Sequence, residues 1–144
     1  MKRTKGRMTV CLCLIGLLLC FIWGYSLLPA DESGMLSGSL AEFLGKVFPC
    51  LLTEEGEHFL RKAAHFSEFT ALGLLCCWLF GMLRKKVYLP LLCGVGAACV
   101  DECLQRFSPG RACSIRDVAL DAVGVLTGVM LLFLLHKLIK TRCH

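Results

Sequence analysis

Residues 61–83 read RKAAHFSEFTALGLLCCWLFGML. At 1.5 Å per residue in a helix, this stretch crosses the roughly 30 Å hydrocarbon layer of a bilayer. Yet its first eight positions carry Arg61, Lys62, His65 and Glu68. Ionisable groups in such a place are expensive, roughly 2.5–3.5 kcal/mol each at the bilayer centre on insertion scales. A chain that keeps them has paired them or uses them. A second polar cluster has the same character. It runs Asp101-Glu102-Cys103-Leu104-Gln105-Arg106-Phe107-Ser108-Pro109-Gly110-Arg111 and continues through Ser114, Arg116, Asp117 and Asp121. It too is flanked by apolar runs.

Composition sets the class. The 144 residues are 56% hydrophobic and 19% charged, whereas soluble domains are about a quarter charged. This is the balance of a single-domain integral membrane protein, so its net charge of +5 is read as topology. No basic run is long or aromatic enough for nucleic acid, which is excluded as a partner. The 11 cysteines include no CxxC pair, which removes zinc-finger and thioredoxin readings. Most lie inside apolar runs and act as small hydrophobes. Cys50 and Cys113 fall in the segments predicted to lie outside and are the candidates for a disulfide.

The apolar pattern predicts an all-α membrane protein, a four-transmembrane-helix bundle with a short outer amphipathic helix. A cytoplasmic basic tail, 1–7, precedes a membrane domain over 8–136. The spans are expected at about 8–28, 61–83, 87–107 and 115–135, with an outer loop at 29–60 and a second cytoplasmic tail at 137–144. The first run is too long for a signal peptide. Leu28 and Ala30 also make a poor small-x-small cleavage site before Asp31, so it is read as an uncleaved span with Trp23 and Tyr25 at its outer interface. Within 29–60, Leu36, Leu40, Phe43, Leu44, Val47 and Phe48 recur at helical spacing, which predicts an amphipathic helix on the outer surface. A loosely ordered loop is the competing reading. Ser108-Pro109-Gly110 predicts a tight turn, and Ser114 with Asp117 predicts a helix N-cap.

Lys and Arg crowd the N-terminus, the 84–86 loop and the tail after His136, whereas 29–60 is acidic. The positive-inside rule then places both termini of this multi-pass protein in the cytoplasm. Arg106, Arg111 and Arg116 run against that bias in the outer 106–116 loop and imply a local task with anions or nearby carboxylates.

Counting from the expected outer ends, Glu68, Asp101 and Asp121 each lie about 9–10 Å deep. Arg61, His65 and Glu68 share a helix face, as do Asp101 with Gln105, and Asp117 and Asp121 with Gly124 and Gly128. Glu102 lies beside the second of these faces. Four readings compete for this polar layer. It is a purely structural ion-pair network. It is an anion site for a lipid head group, using Arg111, Arg116 and the start of the fourth span. It is a metal site drawn from His65, Glu68, Asp101, Glu102 and Asp121, a donor set that fixes no particular ion. Or His65 and Glu68 do general acid–base work, although their i, i+3 spacing equally fits a helix ion pair. The ligand-binding candidates are Arg61, Lys62, His65, Glu68, Asp101, Glu102, Gln105, Arg111, Asp117 and Asp121. Gly124-x-x-x-Gly128 is a small-residue pair that admits a partner helix, within the bundle or in a homo-oligomer.

Three blocks together resemble the VanZ-like family of small bacterial membrane proteins, over about residues 10–136. They are Arg61-Lys62-x-x-His65-Phe66-x-Glu68-Phe69-x-x-Leu72-Gly73, Asp101-Glu102-x-x-Gln105-x-Phe107-x-Pro109-Gly110-Arg111, and Asp117-Val118-x-x-Asp121-x-x-Gly124-x-x-x-Gly128. Asp121 departs from the pattern, since members typically carry Asn there. The resemblance implies a multi-pass protein of the bacterial plasma membrane. It brings low-level glycopeptide resistance, to teicoplanin in particular, from the founding member, with ordinary envelope physiology as the other expectation for this chain. The expected ligand is an anionic lipid-linked or glycopeptide-type molecule at an outward-facing site. The alternatives are a membrane-embedded hydrolase or transferase on a lipid-linked precursor, and a structural or regulatory partner of another membrane protein. The resemblance brings no settled reaction or cofactor.

Overall fold

The computed structural model describes residues 2–111 and 113–142, with side chains except at positions 2, 3, 36 and 142. It contains α1 (Lys2–Ser26), α2 (Ala30–Gly45), a 3-10 turn (Pro49–Leu52), α3 (Glu54–Met82), α4 (Tyr88–Gln105) and α5 (Ile115–Arg142). There is no strand among the described residues. Three stretches are long and apolar enough to cross a membrane: Thr4–Ser26, Glu54–Met82 and Ile115–Thr141. The protein is an all-helical membrane protein. α4, with 18 residues and Asp101, Glu102 and Gln105 at its end, is not among those three, so the expected count of four spans is not reached on length and composition alone.

Two helices run past their expected bounds. α3 starts at Glu54 because Thr53 caps it: the Thr53 hydroxyl accepts from the Gly56 N–H at 3.1 Å. Glu54, Glu55 and Glu57 in the first turn suit the positive end of the helix dipole. The seven residues 54–60, assigned to the outer loop, therefore belong to the long helix. α5 likewise continues through the expected tail to Arg142. Replacing Thr53 with alanine should cost about 1 kcal/mol, read as faster hydrogen exchange confined to the first turn of α3.

Residues 29–60 hold a helix rather than a loop. α2 buries a row of small residues, Ser33, Ser37, Ala41 and Gly45, while Leu40, Phe43 and Val47 are exposed. Position 36 lies outside the described side chains.

The core gathers Ile22 of α1, Phe69, Leu72 and Cys76 of α3, Ala98 of α4 and Val125 of α5. α3 and α5 run parallel and meet backbone to backbone. A Cβ on Gly124 would sit 2.8 Å from the Phe66 carbonyl oxygen, and one on Gly73 or Gly128 would land on the opposite helix's main chain. This close approach occurs inside the chain. Of the two partners expected for Gly124 and Gly128, a helix of the bundle or a second copy, α3 is the one packed against this face. Polar ties fix the other helices: the Trp23 indole donates to the Ala97 carbonyl at 3.4 Å, and the Cys11 thiol to that of Leu75 at 3.4 Å. Cys50 and Cys113 are exposed free thiols.

Candidate functional site

The 108–111 turn is built by its sequence. Pro109 sets the second position, Gly110 supplies φ +76° at the third, and the Arg111 N–H closes the turn on the Ser108 carbonyl at 3.2 Å. This geometry requires the left-handed residue that glycine provides. Two further bonds lash the turn to the α1–α2 junction. The Ser108 hydroxyl donates to the Ser26 carbonyl at 2.9 Å, and the Ala30 N–H donates to the Pro109 carbonyl at 3.1 Å. Arg111 is thereby held over the bundle end. Its guanidinium carbon lies 5.7 Å from the Tyr25 ring centre, and its Nη2 is 3.5 Å from the Tyr25 carbonyl.

Beneath it opens a cavity of about 240 Å³. α3 contributes His58, Arg61, Lys62 and His65, whose 3, 1, 3 spacing is one helix face. α5 contributes Asp117, Leu120 and Asp121, while Gln105 comes from α4 and Gly110 and Arg111 from the turn. Lys62 Nζ and Asp117 Oδ1 pair at 3.3 Å on the half-exposed rim. Burial lowers the pKa of Arg111, and the charge of Arg61 lowers it further, against the opposing pull of Tyr25, Asp101 and Glu102. Two guanidinium groups that repel one another across a cavity favour an anion between them. Both Nε atoms are buried with no partner among the described residues.

Asp121 lines this cavity, and Asp101 is buried next to it. Asp101 and Asp121 are 0% and 2% exposed. With half-buried His65, their donor atoms all lie within 4.8 Å of one another. Gln105 Nε2 donates to Asp101 Oδ2 at 3.0 Å. Asp101 Oδ1, Asp121 Oδ1 and His65 Nδ1 have no hydrogen-bond partner among the described residues.

The remaining candidates go elsewhere. Glu68 lines a neighbouring cavity of about 180 Å³ with Phe21, Tyr25 and Ser37, and Arg61 and His65 border both spaces. Its Oε2 is 3.9 Å from His65 Nδ1. Glu102, 2% exposed, accepts a hydrogen bond from the Ser114 backbone N–H and so staples the end of α4 to the start of α5. The Asp117 N–H goes to the Ser114 carbonyl at 3.0 Å, and its carboxylate to Lys62 rather than to a cap. Arg106 and Arg116 are exposed and do not border the cavity, so an anion site there rests on Arg61 and Arg111 without Arg116.

Sequence reasoning missed His58 and Tyr25. His58 continues the Arg61–His65 stripe by one turn, and the Thr53 cap signal would have extended the helix to include it. Tyr25, read as an interface anchor, supports Arg111 and donates its hydroxyl to the Ser33 carbonyl at 3.0 Å. No curated protein and no solved structure matches the chain. The family model described as VanZ/LLP1 matches residues 10–136, nearly the whole chain, and with that match the protein belongs to the VanZ-like family.

Proposed function

We propose that this protein binds the anionic head of a lipid-linked or glycopeptide-type molecule at the outer face of the bacterial plasma membrane, in the cavity between Arg61 and Arg111. The observation that carries the reading is the convergence of these two guanidinium groups, from separate elements, with their Nε atoms buried and unpartnered among the described residues. Buried polar groups are ordinarily hydrogen-bonded, and a forked guanidinium suits phosphate or carboxylate oxygens. α4 serves as the fourth span in this arrangement, its 18 residues reaching about 27 Å. The basic N-terminus, 84–86 loop and C-terminal segment then lie in the cytoplasm. The resemblance to the founding member makes teicoplanin the glycopeptide to test at this site.

The test is Arg111→Ala. Loss of a charged hydrogen-bonding partner worth about 1.5–3 kcal/mol weakens binding roughly 10- to 150-fold. The measurement is titration of fluorescent polyprenyl phosphate, and separately of teicoplanin, into protein in nanodiscs, alongside susceptibility of cells expressing each form. Unchanged binding of both probes with an intact fold would reject the site.

A further inference from the structure

We propose that His65 and Asp121, which line this cavity, and Asp101, buried beside them, hold one divalent transition-metal ion. The three side chains come from α3, α4 and α5, and their donor atoms already lie within 4.8 Å of one another. Ligands at about 2.0–2.2 Å from a shared ion stand at most about 4.4 Å apart, a closure that small side-chain rotations supply.

The second observation is charge. Asp101 and Asp121 are buried from solvent. The ion pairs among the described residues, Lys62–Asp117 and His65–Glu68, reach neither of them. One oxygen of each is a buried acceptor with no partner among the described residues. Two buried carboxylates side by side require a cation or a proton between them. A shared proton would account for the two acids alone. A metal ion accounts for the imidazole converging on them as well. One nitrogen and two carboxylate donors suit Mn²⁺, Fe²⁺ or Zn²⁺, whereas Ca²⁺ takes six to eight oxygens. Glu68, 3.9 Å from His65 Nδ1, stands where outer carboxylates orient metal-bound imidazoles. His65 and Asp121 line the same cavity as Arg61 and Arg111, so an anionic oxygen bound there would complete the ion's coordination. The ligand in that last step rests on the anion-binding reading; the ion site itself does not.

The experiment uses the full chain in detergent, stripped with EDTA, with Mn²⁺ added alone and followed by electron paramagnetic resonance and by melting temperature. One Mn²⁺ per chain should bind and raise the melting temperature, and Zn²⁺ should displace it, following the order of divalent affinities. Asp121→Asn and His65→Gln should each weaken Mn²⁺ by more than the ~10–100-fold typical of losing an outer partner, and Glu68→Gln should fall within that range. No stoichiometric Mn²⁺ or Zn²⁺, or Mn²⁺ affinity unaltered in both ligand variants, overturns the metal site. Absent binding of both Mn²⁺ and Zn²⁺ beside Arg111-dependent polyprenyl phosphate binding rejects the ion and leaves the anion site standing. Mn²⁺ binding without phosphate binding supports the ion and rejects the anion site.

Discussion

Gly128→Val is expected to abolish accumulation of folded protein. A Cβ at Gly128 would fall onto the Thr70 carbonyl and stand 2.7 Å from the Leu74 nitrogen. Both are main-chain atoms of α3 that cannot rotate aside. Overpacking against side chains costs about 1–3 kcal/mol because rotamers give way. Here two whole helices must part, carrying Asp121 and Gly124 away from His65 and Phe66. A loss beyond about 4 kcal/mol is expected, the range reserved for gross packing failures. Detergent size-exclusion and thermal melting read the result. Gly96→Ala is the control, since a Cβ there meets nothing within 4 Å. A Gly128→Val protein that melts like the parent would mean that α3 and α5 do not meet through this face.

Glu102→Ala is expected to loosen the turn that carries Arg111. The Glu102 carboxylate accepts from the Ser114 N–H where α4 ends and α5 begins. Removing it leaves that donor without its acceptor, at about 1–3 kcal/mol. The change should lower the melting temperature and weaken polyprenyl phosphate binding together. Glu102→Gln keeps an acceptor oxygen in place and should stay near the parent on both measurements. If alanine and glutamine behave alike, the staple contributes nothing.

The two outcomes draw on different kinds of sequence information. The glycine pair was legible, because small residues four apart signal close helix approach. Its partner was not, since nothing in 124–128 says whether α3 or a second copy fills the groove. The Arg61–His65 stripe was legible from helical periodicity, yet Glu68 left the cavity it was assigned to. At 100° per residue, Glu68 falls on the Arg61 edge of the stripe, away from Lys62, and so enters the adjoining space. Glu102 sits about 100° round the helix from Asp101, which turns it from the cavity toward Ser114. The Ser108–Ser26 bond joins residues 82 apart, a pairing that no local pattern encodes. α2 was recognised by its large apolar residues, while its packed face is the row of small ones. The start of α3 was misplaced because the apolar run begins after Leu60, whereas the helix begins at a hydroxyl cap.

That early start has a consequence for how a ligand arrives. α3 has 29 residues and α4 has 18, lengths of about 44 and 27 Å. A hydrocarbon layer of roughly 30 Å matches the shorter helix and not the longer, so in the proposed four-span arrangement the surplus of α3 rises as a parapet above α4. Arg61 and His58 stand along its inner wall. On the proposed anion-binding reading, a lipid drifting in its own leaflet would meet that wall from the side, presenting its charged head at the ledge while its tail stays in oil throughout.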